Sequence, residues 1–479
     1  MKTQFPVHSI KRTVLWLSVL LALPSLKAAT TTTWQDGTAN NGTYTWETGA
    51  NWDNGVPTSA SFKSVINHST GALTITTADS TPYTVTTPNF IVNSGSLTFK
   101  LGLGSNFTAS GAAVINNATT DVTKMVFDVN GSTLDFSSIP YSDAFAKYFT
   151  VKSTKADGSG TIKLGQIGGA WRIAVQNNVT LNITGAAGNT FTSTTFSAGS
   201  TLWMSAAGNS GLNGATGTGT FGNLIVGNSA NANLTNLTLY QNTTFRVGGN
   251  LTLNKGTTAN QDSTLTFGNN LVYLYVGGNF TDVGGSANST VQNYVTTGGG
   301  SALIGFNGGA ATQRTVSIGR TGLTNNFVVG ENITTPGNIG LAKNLATTGS
   351  FTMYRGSRLN VAAFTLTAGS LILADDAVGN HLTIADTFGT TNGLITTSGN
   401  LSLNTFNLEL TFDGTSWTNG SNLLLFHYGG TFTGTLALGT ITYNGPGTIT
   451  SLGTLLNSGG NIYLQGVNVT PVPEPSTVF

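Results

Sequence analysis

"VGGNLT" at 247–252 returns as "VGGNFT" at 276–281, a step of 276 − 247 = 29 residues. Each copy reads as a corner followed by a short run of alternating apolar and polar residues. Glycine and asparagine tolerate positive φ, and period-two alternation is the mark of a half-buried strand. A looser copy, "LGSNFT", begins at Leu103, and a corner plus run recurs at Gly349, Gly369 and Gly399, in steps of 20 and 30. Steps of this size suit one coil of a β-solenoid, which buries its apolar face by stacking on the next coil. An array of β-sandwiches places turn signals at similar density and is the competing arrangement. The expected fold is all-β: a right-handed parallel β-helix (β-solenoid) closed by a C-terminal β-meander cap.

The same pattern fills the body of the chain: "GALTITT" (71–77), "SGSLTFKLG" (94–102), "STLTFG" (263–268), "AFTLTAGSLILA" (363–374) and "SGNLSLNTF" (398–406). Only "PYSDAFAKYF" (140–149) reads as helix, with Ser142 as its N-cap. The solenoid is expected over 30–405, opened by a Trp-rich cap at 32–58 that holds Trp34, Trp46 and Trp52. Such a cluster either plugs the open end of a core or offers a stacking platform for sugars, and the plug is the favoured reading. Longer apolar runs at 408–434 and 459–469 define a β cap over 406–470, since an uncovered sheet edge invites aggregation.

Composition narrows the function classes. Of 479 residues 8% are charged, the net charge is +1, and no basic stripe exists to neutralise phosphates, so nucleic-acid binding is not expected. With 39% hydrophobic residues the chain can bury a core, and its 63 glycines follow no Gly-X-Y period. Cysteine is absent, so packing and hydrogen-bonded sheet must replace disulfides. At the start, Lys2, Lys11 and Arg12 precede an apolar run from Val14 to Leu23, then Pro24 and the small pair Ala28 and Ala29. That is a secretory signal peptide over 1–29 with cleavage at Ala28–Ala29. The run is about half the ~20 residues a bilayer span needs.

Candidate chemistry is thin. Gly217, Gly219 and Gly222 fit G-x-G-x-x-G, but the strand-like "NLIV" follows where a helix is required. His68, His381 and His427 are isolated in sequence, so a zinc site is not expected. Asp375 and Asp376 are the adjacent acids; they read as a solvated turn, with a catalytic or calcium-holding pair as the sharper alternative. Sequons at Asn106, Asn178, Asn182, Asn250 and Asn279 follow from Asn turns before Thr-rich strands. Thr-x-Thr pairs such as Thr74 with Thr76 and Thr264 with Thr266 have no constant spacing, which argues against an aligned ice-matching array. No catalytic residues, metal or cofactor are expected.

The tail "VPEPST" (472–477), beside the signal peptide, resembles the sorting signal of PEP-CTERM proteins, the substrates of bacterial exosortases. The motif falls on Pro473, Glu474 and Pro475; an apolar segment and a basic cluster, which follow it in that family, are not in this sequence. "WETGANWDNGVPT" (46–58) is similar to the opening of secreted repeat proteins related to autotransporter passengers. The resemblance implies export, handling by exosortase-type sorting machinery through 471–479, and residence at the cell surface or in the extracellular matrix of the outer envelope. The expected function is a non-enzymatic structural or adhesin-like role, with surface polysaccharide as a further partner class. A polysaccharide lyase or hydrolase on a β-helix and a glycan- or ice-binding module are the alternatives.

Overall fold

The computed structural model describes residues 30–470 except 36–41, 58–61, 69–71, 79–83, 88, 95, 110–112, 118–119, 139–146, 169–170, 177, 187, 192–193, 214–217, 231–234, 241–243, 258–262, 268–271, 284–294, 297–301, 321, 333, 374–381, 389–392, 413–418 and 445–446. Among the described residues the regular structure is strand, apart from a three-residue turn of 3-10 helix at Gly49–Asn51. The strands are short because glycine and asparagine interrupt each alternating run after a few residues, and they stack in parallel as a β-solenoid with three faces.

The first face is one fifteen-stranded sheet, from Thr84–Thr87 to Leu438–Asn444. Neighbouring strands lie about 4.8 Å apart, so this face runs roughly 70 Å. The second face is a seven-stranded sheet from Gly42–Thr45 to Thr195–Phe196, then a nine-stranded sheet from Thr218–Phe221 to Phe432–Thr433. The third face comes in sheets of four, five and six strands.

The 29-residue step is one coil. Val247 pairs with Val276 on the second face and Leu251 with Phe280 on the first. The corner glycines between them stack as well: the amide of Gly278 donates to Gly249 O at 2.8 Å, and that of Gly249 to Gly222 O. A Cβ on Gly278 would sit 2.4 Å from Gly249 O, so only glycine fits this corner. Beside the glycines the Asn223 carboxamide oxygen accepts from the amide of Asn250 (2.8 Å), and Asn250 accepts from Asn279 (2.9 Å). A side chain thus satisfies backbone donors that a corner would leave unpaired. Gly349, Gly369 and Gly399 form a second ladder of this kind between the third and second faces, with Gly369 N donating to Gly349 O at 2.8 Å.

Inward positions form columns. Leu134, Ile162, Leu181, Leu202, Leu224, Leu251 and Phe280 stack in register, each no more than 1% exposed. Burying each such side chain stabilises the fold by about 1.5–3 kcal/mol. Near the start the filling is aromatic: Phe99, Phe107, Phe136, Phe127 and Phe149 meet edge to face. Trp46 packs on Phe99 and Phe107 at 5.6 and 5.1 Å, and Trp52 stands between Trp46 and Trp34 at 4.6 and 5.0 Å. All three indoles are buried.

At the other end, parallel pairing continues through Leu438–Asn444, which lies beside Phe406–Phe412. The antiparallel cap then begins: Thr448–Ser458 pairs with Asn461–Thr470, which pairs with Asn422–Tyr428. Gly459 and Gly460 join the hairpin with φ of 58° and 77°, the two positive values a tight hairpin turn of type I′ demands.

The expected helix at 140–149 is corrected where it is described. Tyr148 and Phe149 belong to the strand Tyr148–Lys152, and 139–146 lie outside the described residues. Phe149 and Val151 both point into the core between strands Met125–Asp128 and Arg172–Val175, and this pairing overrides the local capping signal.

Candidate functional site

Ala28, Ala29, Pro473, Glu474 and Pro475 lie outside the described residues, as do Asp375, Asp376 and His381. His68 is buried at the end of Phe62–His68, and His427 Nδ1 meets Asn461 Oδ1 at 2.8 Å within the terminal sheet. Among the described residues no three His, Asp or Glu side chains gather as a metal could require.

What the fold does bring together is a long outer surface. On the first face Asn106, Thr133, Thr161, Thr180, Thr201 and Asn223 stand in register on consecutive coils. Sequence spacing between these threonines runs 28, 19 and 21, yet they align. Unequal spacing therefore does not keep these single threonines out of line, because corners absorb the differences while the strand ladder keeps register. The pair Thr264 and Thr266 is different, since both are buried and donate to Asn236 Oδ1 at 2.9 and 2.7 Å.

A second row runs beside the first: Thr108, Asp135, Lys163, Asn182, Trp203, Ile225, Thr252 and Thr281, of which Asn182 is buried and accepts from the Ser205 hydroxyl. Lys163 Nζ lies 3.3 Å from Asp135 Oδ2 and cancels its charge. The Trp203 indole N–H donates to Gly227 O of the next coil at 2.8 Å, which fixes the partly exposed ring on the surface. Hydroxyls and amides repeat along the first row every ~4.8 Å beside one pinned aromatic, a surface able to hydrogen-bond and stack against a repeating polar partner.

The second face carries a charged cluster. Arg246 makes a bidentate ion pair with Glu331, 85 residues on, and Asn307 Nδ2 donates to the same carboxylate at 3.0 Å. The Arg246 guanidinium lies 5.1 Å from the Tyr275 ring centre, and Tyr273 stacks on Tyr275 at 6.3 Å. In-register Gly305 makes room: a Cβ there would meet the Tyr275 ring at 2.4 Å. The hydrogen bonds from Arg246 hold the Glu331 carboxyl below the usual glutamate range, and burial pushes the Tyr275 hydroxyl up to about 12. Near neutrality Glu331 is thus an ionised clamp for its corner loop, not a proton donor. A like pair, Arg358 with Glu409, sits on the first face at 2.5 Å. Neither pair was legible from local sequence, because its partners are 85 and 51 residues apart.

A comparison with known families finds no matching model, and comparisons with curated proteins and with solved structures find none that is similar.

Proposed function

We propose that this chain is a secreted, non-enzymatic structural or adhesin-like component of a bacterial cell surface or extracellular matrix. In this reading the signal peptide at 1–29 exports it, and Pro473, Glu474 and Pro475 present it to exosortase-type sorting machinery. The rod then lies against a surface polysaccharide through its first face.

The observation that carries this reading is the in-register row Thr133, Thr161, Thr180 and Thr201, flanked by Asp135, Lys163 and Trp203. A polymer of repeating units engages a repeating surface by many weak contacts, so affinity grows by avidity without a deep pocket. Hydroxyls and one aromatic plane are the groups that bind uncharged sugars.

Co-sedimentation of the mature protein with insoluble polysaccharide from the producing cells tests it. The protein should be retained without releasing oligosaccharides, and Thr161→Val with Thr180→Val should weaken retention while keeping the circular dichroism unchanged. Release of oligosaccharides, or no retention on any polysaccharide, would overturn the reading.

A further inference from the structure

We propose that the edge strand Thr448–Ser458 pairs antiparallel with the same strand of a second copy, joining two rods end to end through one continuous third-face sheet. Thr448–Ser458 is the outermost strand of the six-stranded sheet, and the described residues pair with it on one side only. It runs for 11 residues, none of them buried, with Leu452 half exposed. An edge of this length offers a row of free amide and carbonyl groups that templates another strand.

Natural edges are usually blunted by inward or flanking charge, most often lysine. This one is not. Between Asp413 and Glu474 the sequence holds no Asp, Glu, Lys or Arg. The two ends of the rod differ in this respect. At the start three buried tryptophans close the core, whereas Leu438, Ile441, Tyr443, Ile449 and Leu455 at the far end are packed on the core but only partly covered.

Charge selects the occupant. A strand bearing acidic or basic side chains would find no counter-charge over this surface and would lose hydration on docking. A second copy brings an equally uncharged edge of equal length. A two-fold axis near Gly453 sets Thr448–Leu452 of one copy against Thr454–Ser458 of the other, so the contact closes on itself as a dimer instead of propagating as a fibre. The segment that follows carries Pro471, Pro473 and Pro475, which lack amide donors, and so makes a poor substitute for the partner strand.

Sedimentation and solution scattering of the full mature chain test the proposal. Wild type should reach twice the monomer mass with concentration, and its longest dimension should nearly double. Leu452→Lys with Thr454→Lys should be monomeric, as should Leu452→Asp with Thr454→Asp, both with unchanged circular dichroism. Mixing the two variants should restore the dimer, because opposite charges then face each other across the axis. A wild type that stays monomeric at every concentration, or a Lys variant that dimerises as wild type does, would overturn it. Should both variants misfold, solvent exchange of wild-type amides decides: protection over 448–458 that rises with concentration supports the pairing, and protection that does not change refutes it.

Discussion

Asp282 and Arg320 form an ion pair wholly inside the solenoid. Neither side chain has exposed surface, and Nε and Nη2 of Arg320 both reach the Asp282 carboxylate. Asp282 stands in the inward column where the preceding coils place Phe136, Leu164, Ile183, Met204, Val226 and Leu253. Arg320 Nη2 also donates to Ser263 O at 2.6 Å, so the pair ties one corner of the first face to the start of a third-face strand.

Breaking this pair from one side strands a charge in an apolar column. Asp282→Ala should cost about 3–5 kcal/mol, whereas Asp282→Leu with Arg320→Met should unfold close to wild type or above it. Urea unfolding of Asp282→Ala and of the double variant measures the difference. A double variant no better than Asp282→Ala would mean that the pair is needed for more than charge balance.

Gly278→Ala should destabilise the rod by about 1–3 kcal/mol, because the new methyl group collides with the Gly249 carbonyl of the coil before it. Gly188→Ala is the matched control. A Cβ there meets nothing within 4 Å, so the change should be neutral or stabilise by about 0.4–1 kcal/mol through the unfolded chain. Thermal unfolding of the two variants should therefore move in different directions.

Trp46→Ala removes a fully buried ring and leaves Phe99, Phe107 and Trp52 without their common neighbour. A loss of about 3–5 kcal/mol is expected. Coils contact only their neighbours, so amide exchange should quicken over the first coils and stay slow beyond residue 200. Trp203→Ala, at a partly exposed position on the first face, should cost far less.

The Arg246–Glu331 clamp carries a pH signature at each end of the scale. The folded Glu331 carboxyl titrates below its ordinary value, so its contribution is present above that range and is lost as pH falls through the folded value. The pair is partly exposed and is worth about 0.2–1 kcal/mol, so acid should loosen loop 330–337 without unfolding the rod. Tyr275 has the opposite sign: its contribution is present below the ordinary tyrosine value of 10.0 and is lost as pH rises toward about 12. Amide exchange over the loop follows the first, and ultraviolet titration of the tyrosines follows the second.

Much of this architecture is readable in residue order, and the physical reason is locality. Alternation in "GGNLTLNKG" marks inward Leu251 and Leu253, and the paired copies at Val247 and Val276 differ by one true coil. Corner glycines at 349, 369 and 399 announce a ladder because no other residue fits under the carbonyl of the coil before. What escaped reading depends on coil-to-coil register. Thr133, Thr161, Thr180 and Thr201 align despite unequal spacing, and Glu331 finds Arg246 across three coils. Asp282 carries a faint sign of its own: aligning "VGGNFTD" on "VGGNLTL" puts it opposite Leu253, an acid at an apolar position that needs a distant cation.

Inter-coil hydrogen bonds all point along the rod, so a pull on its two ends loads the coils as links in series, and the weakest link sets the breaking force. Among the described residues the third face is interrupted between Asn117 and Gly188, and again between Thr296 and Leu345. Strand pairing through those stretches, among the described residues, runs on the other two faces, apart from a single parallel bridge between Leu323 and Thr347. The second face has a break of its own between Phe196 and Thr218. Under tension the molecule should therefore part first at one of these interruptions, while the coils between them stay whole and can close again when the load is released.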